Sequence, residues 1–157
     1  MNIFSKLKGA KTPVIIKSPC RGSYIPMKDI PDEVFSQGIL GPCCAIDPED
    51  GRICAPCDGK IVQLADTLHA FCIDCDGVMV LVHLGIDTVG LKGEGFSVFV
   101  KENDKVKAGD AVIDMDLGTV RNAGMDPAVI TVIANADELG EISFPGTEDC
   151  LIEVKRK

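Results

Sequence analysis

Short apolar runs alternate with turn signals along most of the chain, from residue 12 onward. The turn signals are dipeptides such as Asp50-Gly51, Asp76-Gly77 and Gly109-Asp110, which favour reversals of the backbone. The apolar runs lie at residues 14–17, 59–64, 69–73, 78–83, 97–100, 111–115, 129–133 and 151–154. Repeated short strands at this spacing predict an all-β fold, an antiparallel β-sandwich or barrel-like single domain. Helical signals are weak, and we expect only short helical turns at residues 32–35 and 117–123.

The composition favours one domain with an aliphatic core. The chain has 157 residues, of which 46% are hydrophobic, with no Trp and one Tyr. This length suits a single domain with a real core, built mainly from Val, Ile, Leu and Met. We place the domain at residues 14–157. No apolar run is long enough to span a membrane and no secretory signal follows the start, so the sequence predicts a cytoplasmic protein.

Residues 1–13 differ from the rest of the chain. Within them, three apolar residues that share one helical face are accompanied by three lysines: Ile3, Phe4 and Leu7, with Lys6, Lys8 and Lys11. A segment this short is marginal as a helix in water, so we expect a flexible, basic, amphipathic tail. Such a tail predicts weak contact with an anionic membrane surface.

The net charge of the chain limits the class of partner. It is −8 at pH 7, and phosphate backbones require a basic surface, so nucleic acid is excluded as a partner. A basic or apolar protein partner is expected instead.

Eight cysteines allow two interpretations. A secreted disulfide framework is usually shorter and carries a signal peptide, so we expect reduced thiols that fill small core positions. Two C-x-x-C pairs, Cys54 with Cys57 and Cys72 with Cys75, have a spacing near that of a four-cysteine zinc site. Residues three apart on a regular strand point to opposite faces, which disfavours a shared metal without excluding it.

The chain has two histidines, His69 and His83, on either side of the Asp76-Gly77 turn. A three-residue loop at 75–77 would place His69 directly opposite His83 and Phe71 opposite Leu81, all on one face. A two-residue turn shifts the register by one and separates the two histidines, unless a bulge restores the shared face. The sequence leaves both registers open.

Two imidazoles on one apolar face indicate two chemistries. One histidine could take a phosphoryl group on a ring nitrogen while the other donates a hydrogen bond to its oxygens. Alternatively, both could bind zinc together with a carboxylate. Two ordinary surface histidines are the third interpretation, and the Gly-rich apolar setting of His83 weighs against it.

Residues 82–96, VHLGIDTVGLKGEGF, closely resemble the signature of the glucose-type enzyme IIA domain. That domain is the phosphocarrier of the bacterial phosphoenolpyruvate-dependent sugar phosphotransferase system. Four further segments resemble the family in the same order: IPDEVF at 30–35, APCDGKI at 55–61, TLHAF at 67–71 and VKAGDAVI at 106–113. The resemblance covers about residues 14–155 and implies an antiparallel β-sandwich.

The resemblance implies a role for each matching residue. His83 corresponds to the phosphorylated histidine, His69 to the partner histidine that steadies the phosphoryl group, and Thr67 to a threonine that hydrogen-bonds the pair. Further positions correspond to the partner-docking surface: Asp87, Asp32, Phe35, Phe71 and Leu81.

The resemblance also implies the reaction and its partners. Phospho-HPr would phosphorylate His83, and the IIB domain of a sugar permease would then take the phosphoryl group on a cysteine. No metal or nucleotide is required, although the resemblance also allows an intermolecular zinc site formed by His69, His83 and a partner's carboxylate. Unphosphorylated members also bind permeases and metabolic enzymes. The rival interpretations are a regulatory binding module that is rarely phosphorylated and a zinc protein.

Overall fold

The computed structural model describes residues 12–157, so the predicted tail falls almost entirely outside the described residues. Thirteen short strands are the main regular elements of this part of the chain. They are β1 (Val14–Ile16), β2 (Gly22–Pro26), β3 (Cys43–Pro48), β4 (Arg52–Cys54), β5 (Gly59–Leu64), β6 (Ala70–Cys75), β7 (Val78–Leu84), β8 (Phe96–Val98), β9 (Lys105–Val106), β10 (Ala111–Met115), β11 (Val129–Ile133), β12 (Ile142–Ser143) and β13 (Ile152–Val154).

The strands form one large sheet and two small ones. Seven strands make the large sheet in the order β2-β3-β11-β7-β6-β5-β9, and the small sheets have the orders β1-β13-β12 and β4-β10-β8. All the strand pairs are antiparallel. The main core draws on all three sheets, with Val82 of β7, Ile113 of β10 and Ile152 of β13 fully buried in it. This arrangement confirms the predicted antiparallel β-sandwich.

Strand β7 shows how the sequence pattern places the candidate site. Its even-numbered residues from Val78 to Leu84 are buried in the main core, while Met79, Leu81 and His83 alternate with them and are half-buried. Because side chains alternate across a strand, His83 lies on the outer face of the large sheet. A second, smaller apolar cluster covers that face and includes Phe35, Ile86 and Ile130.

The helices are short, as predicted. Helix α1 (Glu33–Ser36) begins after Asp32, whose carboxylate accepts a hydrogen bond from the Val34 N–H at 2.9 Å. Helix α2 (Leu117–Asn122) begins after Asp116, which accepts from the N–H groups of Gly118 and Thr119. Such side-chain caps satisfy amide groups that the first turn leaves free. Among the residues described, no helix has the length and apolar character needed to cross a membrane.

The prediction of eight reduced thiols is wrong for one pair. Cys57 and Cys75, one from each C-x-x-C motif, form a disulfide with their Cα atoms 6.1 Å apart. The pair joins the β4–β5 loop to the end of β6, and spacing along the chain does not reveal this proximity. The other six cysteines are free, and burial raises the pKa of the Cys20 and Cys44 thiols to about 12, so both stay protonated. Within residues 12–157, no group of three or more His, Cys, Asp or Glu side chains is arranged to hold a metal ion.

We expect the Cys57–Cys75 disulfide to stabilise the fold by restricting the unfolded chain. The bonded residues are 18 apart, and closing a loop of this length contributes about 3 kcal/mol to the free energy of unfolding. Urea unfolding of the oxidised protein should therefore show a loss of that size in Cys57→Ser. Cys150→Ser, which removes a free thiol, is the matched control and should change stability little. Eight reactive thiols in denatured protein that has not been reduced would contradict the disulfide.

Candidate active site

His83 is held by the loop that follows its strand. The carbonyl of Gly85 lies 2.8 Å from His83 Nδ1, and because a carbonyl only accepts hydrogen bonds, Nδ1 carries the proton. Gly85 has φ +83°, and a Cβ at this position would lie 2.5 Å from Thr88 Cγ2. Glycine therefore allows the tight turn that brings its carbonyl back to the ring. In the neutral imidazole the other nitrogen, Nε2, keeps its lone pair.

His69 lies just outside β6, at the end of the loop from β5. Leu68 before it has φ +60°, so the backbone does not approach β6 as an extended strand. The Thr67 hydroxyl and His69 Nδ1 are 2.5 Å apart, which fixes the ring orientation of His69. This bond leaves Nε2 of His69 as its unengaged nitrogen.

The two histidines meet, with ring centroids 5.1 Å apart and ring planes at 77°. Of the two predicted registers, the two-residue turn forms: Cys75 pairs with Val78, and Ala70, not His69, is opposite His83. The His69 carbonyl accepts a hydrogen bond from the Leu84 N–H at 2.7 Å. His69 belongs to the loop before β6, so the alternation of side chains along the strand does not fix which face its ring occupies. Its ring can therefore lie beside that of His83.

The predicted aromatic residues have different positions. Phe35 is 5% exposed, and its ring centroid lies 5.1 Å from that of His83, so Phe35 forms a wall of the site. Phe71 pairs with Val82 in the main core and is 1% exposed. Its predicted place on the docking surface is therefore wrong, because the one-residue shift in register turns its side chain to the opposite face. Leu81 is half-buried on the same face of the sheet as His83.

Two carboxylates lie near His83. Asp32 caps α1, and Asp87 is exposed with φ +65° at the start of the Thr88–Leu91 turn. Both act to raise the pKa of His83, but burial outweighs them and the Gly85 hydrogen bond, so the pKa is lower than the ordinary 6.5. Burial also lowers the pKa of His69, and the charge of His83 lowers it further. Both imidazoles are therefore neutral at pH 7 and available as lone-pair donors.

We expect the pair to titrate below the ordinary histidine pKa of 6.5. As the pH falls below 6.5, the unfolded chain binds protons before the folded one does, so stability falls with falling pH until the folded-state pKa values are reached. Histidine signals in an NMR titration should give both midpoints. A midpoint at or above 6.5 for either residue would contradict this picture.

Sequence reasoning missed four exposed apolar side chains on segments that flank the pair. They are Val34 (42% exposed), Ile39 (65%), Leu40 (43%) and Val89 (53%). Val34 directly precedes Phe35, Val89 lies two residues after Asp87, and the Ile39 N–H donates a hydrogen bond to the Val34 carbonyl. The available signal was an Ile-Leu pair directly before Gly41-Pro42, where an exposed turn is expected.

Comparison with known proteins decides the family. The family described as "phosphoenolpyruvate-dependent sugar phosphotransferase system, EIIA 1" matches residues 14–139. A relative from Halalkalibacterium halodurans, the "PTS system glucose-specific EIIA component", is 42% identical over 126 residues, which cover 80% of this chain and 73% of the relative. The chain belongs to this EIIA family. It is thus a phosphocarrier and a phosphotransferase component of the sugar phosphotransferase system.

Further comparisons extend the assignment to architecture. The solved structure of the glucose permease IIA from Mycoplasma capricolum matches with a TM-score of 0.75 and 32% identity, covering 99% of this chain and 95% of that one. A "PTS system mannose-specific EIIBCA component" from Corynebacterium glutamicum is 41% identical over 130 residues, covering 82% of this chain and 19% of that protein. The EIIA domain thus also occurs as one part of a longer chain.

Proposed function

We propose that this EIIA protein carries the phosphoryl group on Nε2 of His83, between HPr and the cysteine of a IIB permease domain. The observation that carries the proposal is the Gly85 carbonyl at 2.8 Å from Nδ1 of His83. This contact places the proton on Nδ1 and the nucleophilic lone pair on Nε2. The lowered pKa keeps the ring neutral when phospho-HPr docks.

The acceptor step fits the surroundings of His83. The Nε2 lone pair attacks phosphorus, the bond between phosphorus and HPr breaks, and its electron pair stays with HPr. The phosphorylated ring, with its proton still on Nδ1, carries positive charge. The Gly85 carbonyl stabilises that charge directly, and Asp32 and Asp87 stabilise it through space, as both already do for protonated His83.

His69 is proposed to bind the oxygens of the phosphoryl group. When the Thr67 hydroxyl donates to Nδ1 of His69, the proton of the neutral ring lies on Nε2. An Nε2–H group near a ring 5.1 Å away can donate to phosphoryl oxygens attached to His83. This donor compensates negative charge during transfer and costs no reorganisation, since the Thr67 bond fixes the ring beforehand.

The face around the pair is the proposed docking surface. It combines the carboxylates of Asp32 and Asp87 with half-buried Leu81, and exposed Val34 and Val89 lie close to Phe35 and Asp87 in the sequence. Acidic and apolar groups together suit a partner that is basic and apolar. Docking on an apolar rim also removes water, which protects the phosphohistidine from hydrolysis.

The proposal also covers zinc binding, binding to regulated partners and the location of the protein. The carrier reaction needs no metal or nucleotide. Zinc shared by His69, His83 and a partner's carboxylate would occupy Nε2 of His83 and so would compete with phosphorylation. Binding to permeases or metabolic enzymes in the unphosphorylated state would use the same surface. We place the carrier domain at residues 14–157 in the cytoplasm, with residues 1–13 as a tail in weak contact with membranes.

The proposal is tested by reconstitution with phosphoenolpyruvate, enzyme I and HPr from the same organism. We expect one acid-labile phosphoryl group per chain, dependent on HPr and discharged by a cognate IIB domain. Omitting HPr is the control. Absence of labelling in the complete system would favour a regulatory binding module over a carrier.

A further inference from the structure

The carbonyl that orients His83 is itself fixed by a segment distant in sequence. The N–H of Gly85 donates to the Ala128 carbonyl at 2.8 Å, and the N–H of Ile86 donates to the Asp126 carbonyl at 2.9 Å. The two peptide groups on either side of the Gly85 Cα, one of which contains the Gly85 carbonyl, are thus hydrogen-bonded to residues 126–128. The approach is close, since a Cβ on Gly85 would lie 3.1 Å from the Asp126 carbonyl oxygen.

The side chain of Asp126 closes the turn that presents these two carbonyls. Its Oδ1 accepts a hydrogen bond from the Ala128 N–H at 2.9 Å. Pro127 between them is buried, has a fixed φ and offers no N–H of its own. An aspartate that bonds the backbone two residues later stabilises such a turn. The separation of the two carbonyls, and hence the position of Gly85, therefore depends on this carboxylate.

We propose that Asp126 is a positioning residue for phosphoryl transfer, acting through the 126–128 turn on the Gly85 carbonyl and so on the ring of His83. The inference rests on the proposed function of His83. This role is not electrostatic, because the carboxylates that act on the charge of His83 are those of Asp32 and Asp87. What Asp126 supplies is a hydrogen-bond acceptor at a fixed place.

Three substitutions separate the acceptor from the charge. Asp126→Ala removes both, Asp126→Asn keeps an acceptor oxygen without the charge, and Asp126→Glu keeps the charge but moves the acceptor. Asp50→Ala is the matched control, because Asp50 Oδ1 accepts from the Arg52 N–H at the same distance, 2.9 Å, in the β3–β4 turn. Asp50→Ala therefore loses the same kind of side-chain-to-backbone hydrogen bond, but in a turn outside the residues that hold His83.

The readouts are the Nδ1–H signal of His83 in NMR of the unphosphorylated protein and the rate of phosphoryl acceptance. We expect Asp126→Ala and Asp126→Glu to weaken the signal and to lower the maximal rate about tenfold, less than the roughly 10²-fold that a 1 Å misplacement of a reacting group can cost. The dependence on HPr concentration should not change. Asp126→Asn and Asp50→Ala should retain both signal and rate.

Two results would overturn the proposal: an unchanged signal and rate in Asp126→Ala, or an equal loss in Asp126→Asn, which would indicate that the charge matters. If Asp126→Ala does not fold, Asp126→Glu decides, and a normal signal in that variant overturns the positioning role. The NMR signal is read without any phosphoryl transfer. Failure of His83 to accept phosphate is therefore distinguishable from failure of Asp126 to position it.

Discussion

Replacing His83 with glutamine is expected to abolish phosphoryl acceptance while the fold persists. The glutamine amide can still donate to the Gly85 carbonyl, which lies 2.8 Å from the native ring nitrogen. An amide nitrogen, however, has no free lone pair to attack phosphorus. His83 lies on the outer face of the sheet, so the main core stays intact. Labelling from radioactive phosphoenolpyruvate, with circular dichroism to confirm folding, measures the effect.

Labelling of His83→Gln decides which of the two histidines accepts the phosphoryl group. Folded variant protein that still takes up an acid-labile phosphoryl group would place the acceptor elsewhere, with His69 as the first residue to examine. The wild-type chain labelled in parallel is the reference for one phosphoryl group.

His69→Gln is expected to accept the phosphoryl group from phospho-HPr but to fail in passing it on. The nucleophile and the Gly85 carbonyl that orients it remain. The variant loses the donor that the Thr67 bond holds in place. Removing one pre-oriented donor to a developing anion slows transfer by roughly 10²- to 10³-fold. Chase of the labelled protein with a IIB domain measures onward transfer separately from acceptance.

A weaker version of the same defect is expected in Thr67→Val, the matched variant. It keeps both histidines and removes only the hydroxyl 2.5 Å from His69 Nδ1. The opposite pattern in His69→Gln, with acceptance lost and discharge of chemically phosphorylated protein intact, would mean that the two histidines have exchanged roles.

Apolar runs predicted strands both with and without alternation, since the run 129–133 matches β11, which is buried throughout. Strand β7 alternates buried and half-buried residues along its whole length, and the predicted run 78–83 misses only Leu84. Strand β3 was missed: its apolar stretch at residues 43–46 directly follows Gly41-Pro42, which is a turn signal. Strand β2 was missed too, since it begins with Gly22 and ends with Pro26. Proline at the end of an edge strand is tolerated in a sheet but obscures the pattern.

The sequence predicted which residues belong to the candidate site but not how they are arranged in space. Resemblance to the glucose-type enzyme IIA domain brought His69, His83 and Thr67 together. The register at Asp76-Gly77 could not be chosen locally, because two- and three-residue turns satisfy the same dipeptide, and the choice decides which face Phe71 occupies. The Cys57–Cys75 disulfide could not be predicted either, since cysteine spacing does not determine connectivity.

The role of His83 Nε2 as the nucleophile is tested most directly by ¹⁵N–³¹P NMR of the protein, with labelled histidine, after phosphorylation through HPr. With two histidines in the chain, the spectrum assigns residue and ring nitrogen together. We expect one phosphoryl group, bonded to Nε2 of His83, with the proton still on Nδ1. Phosphorus on Nδ1 of His83, or on His69, would contradict this role, since the Gly85 carbonyl would then not define the nucleophile.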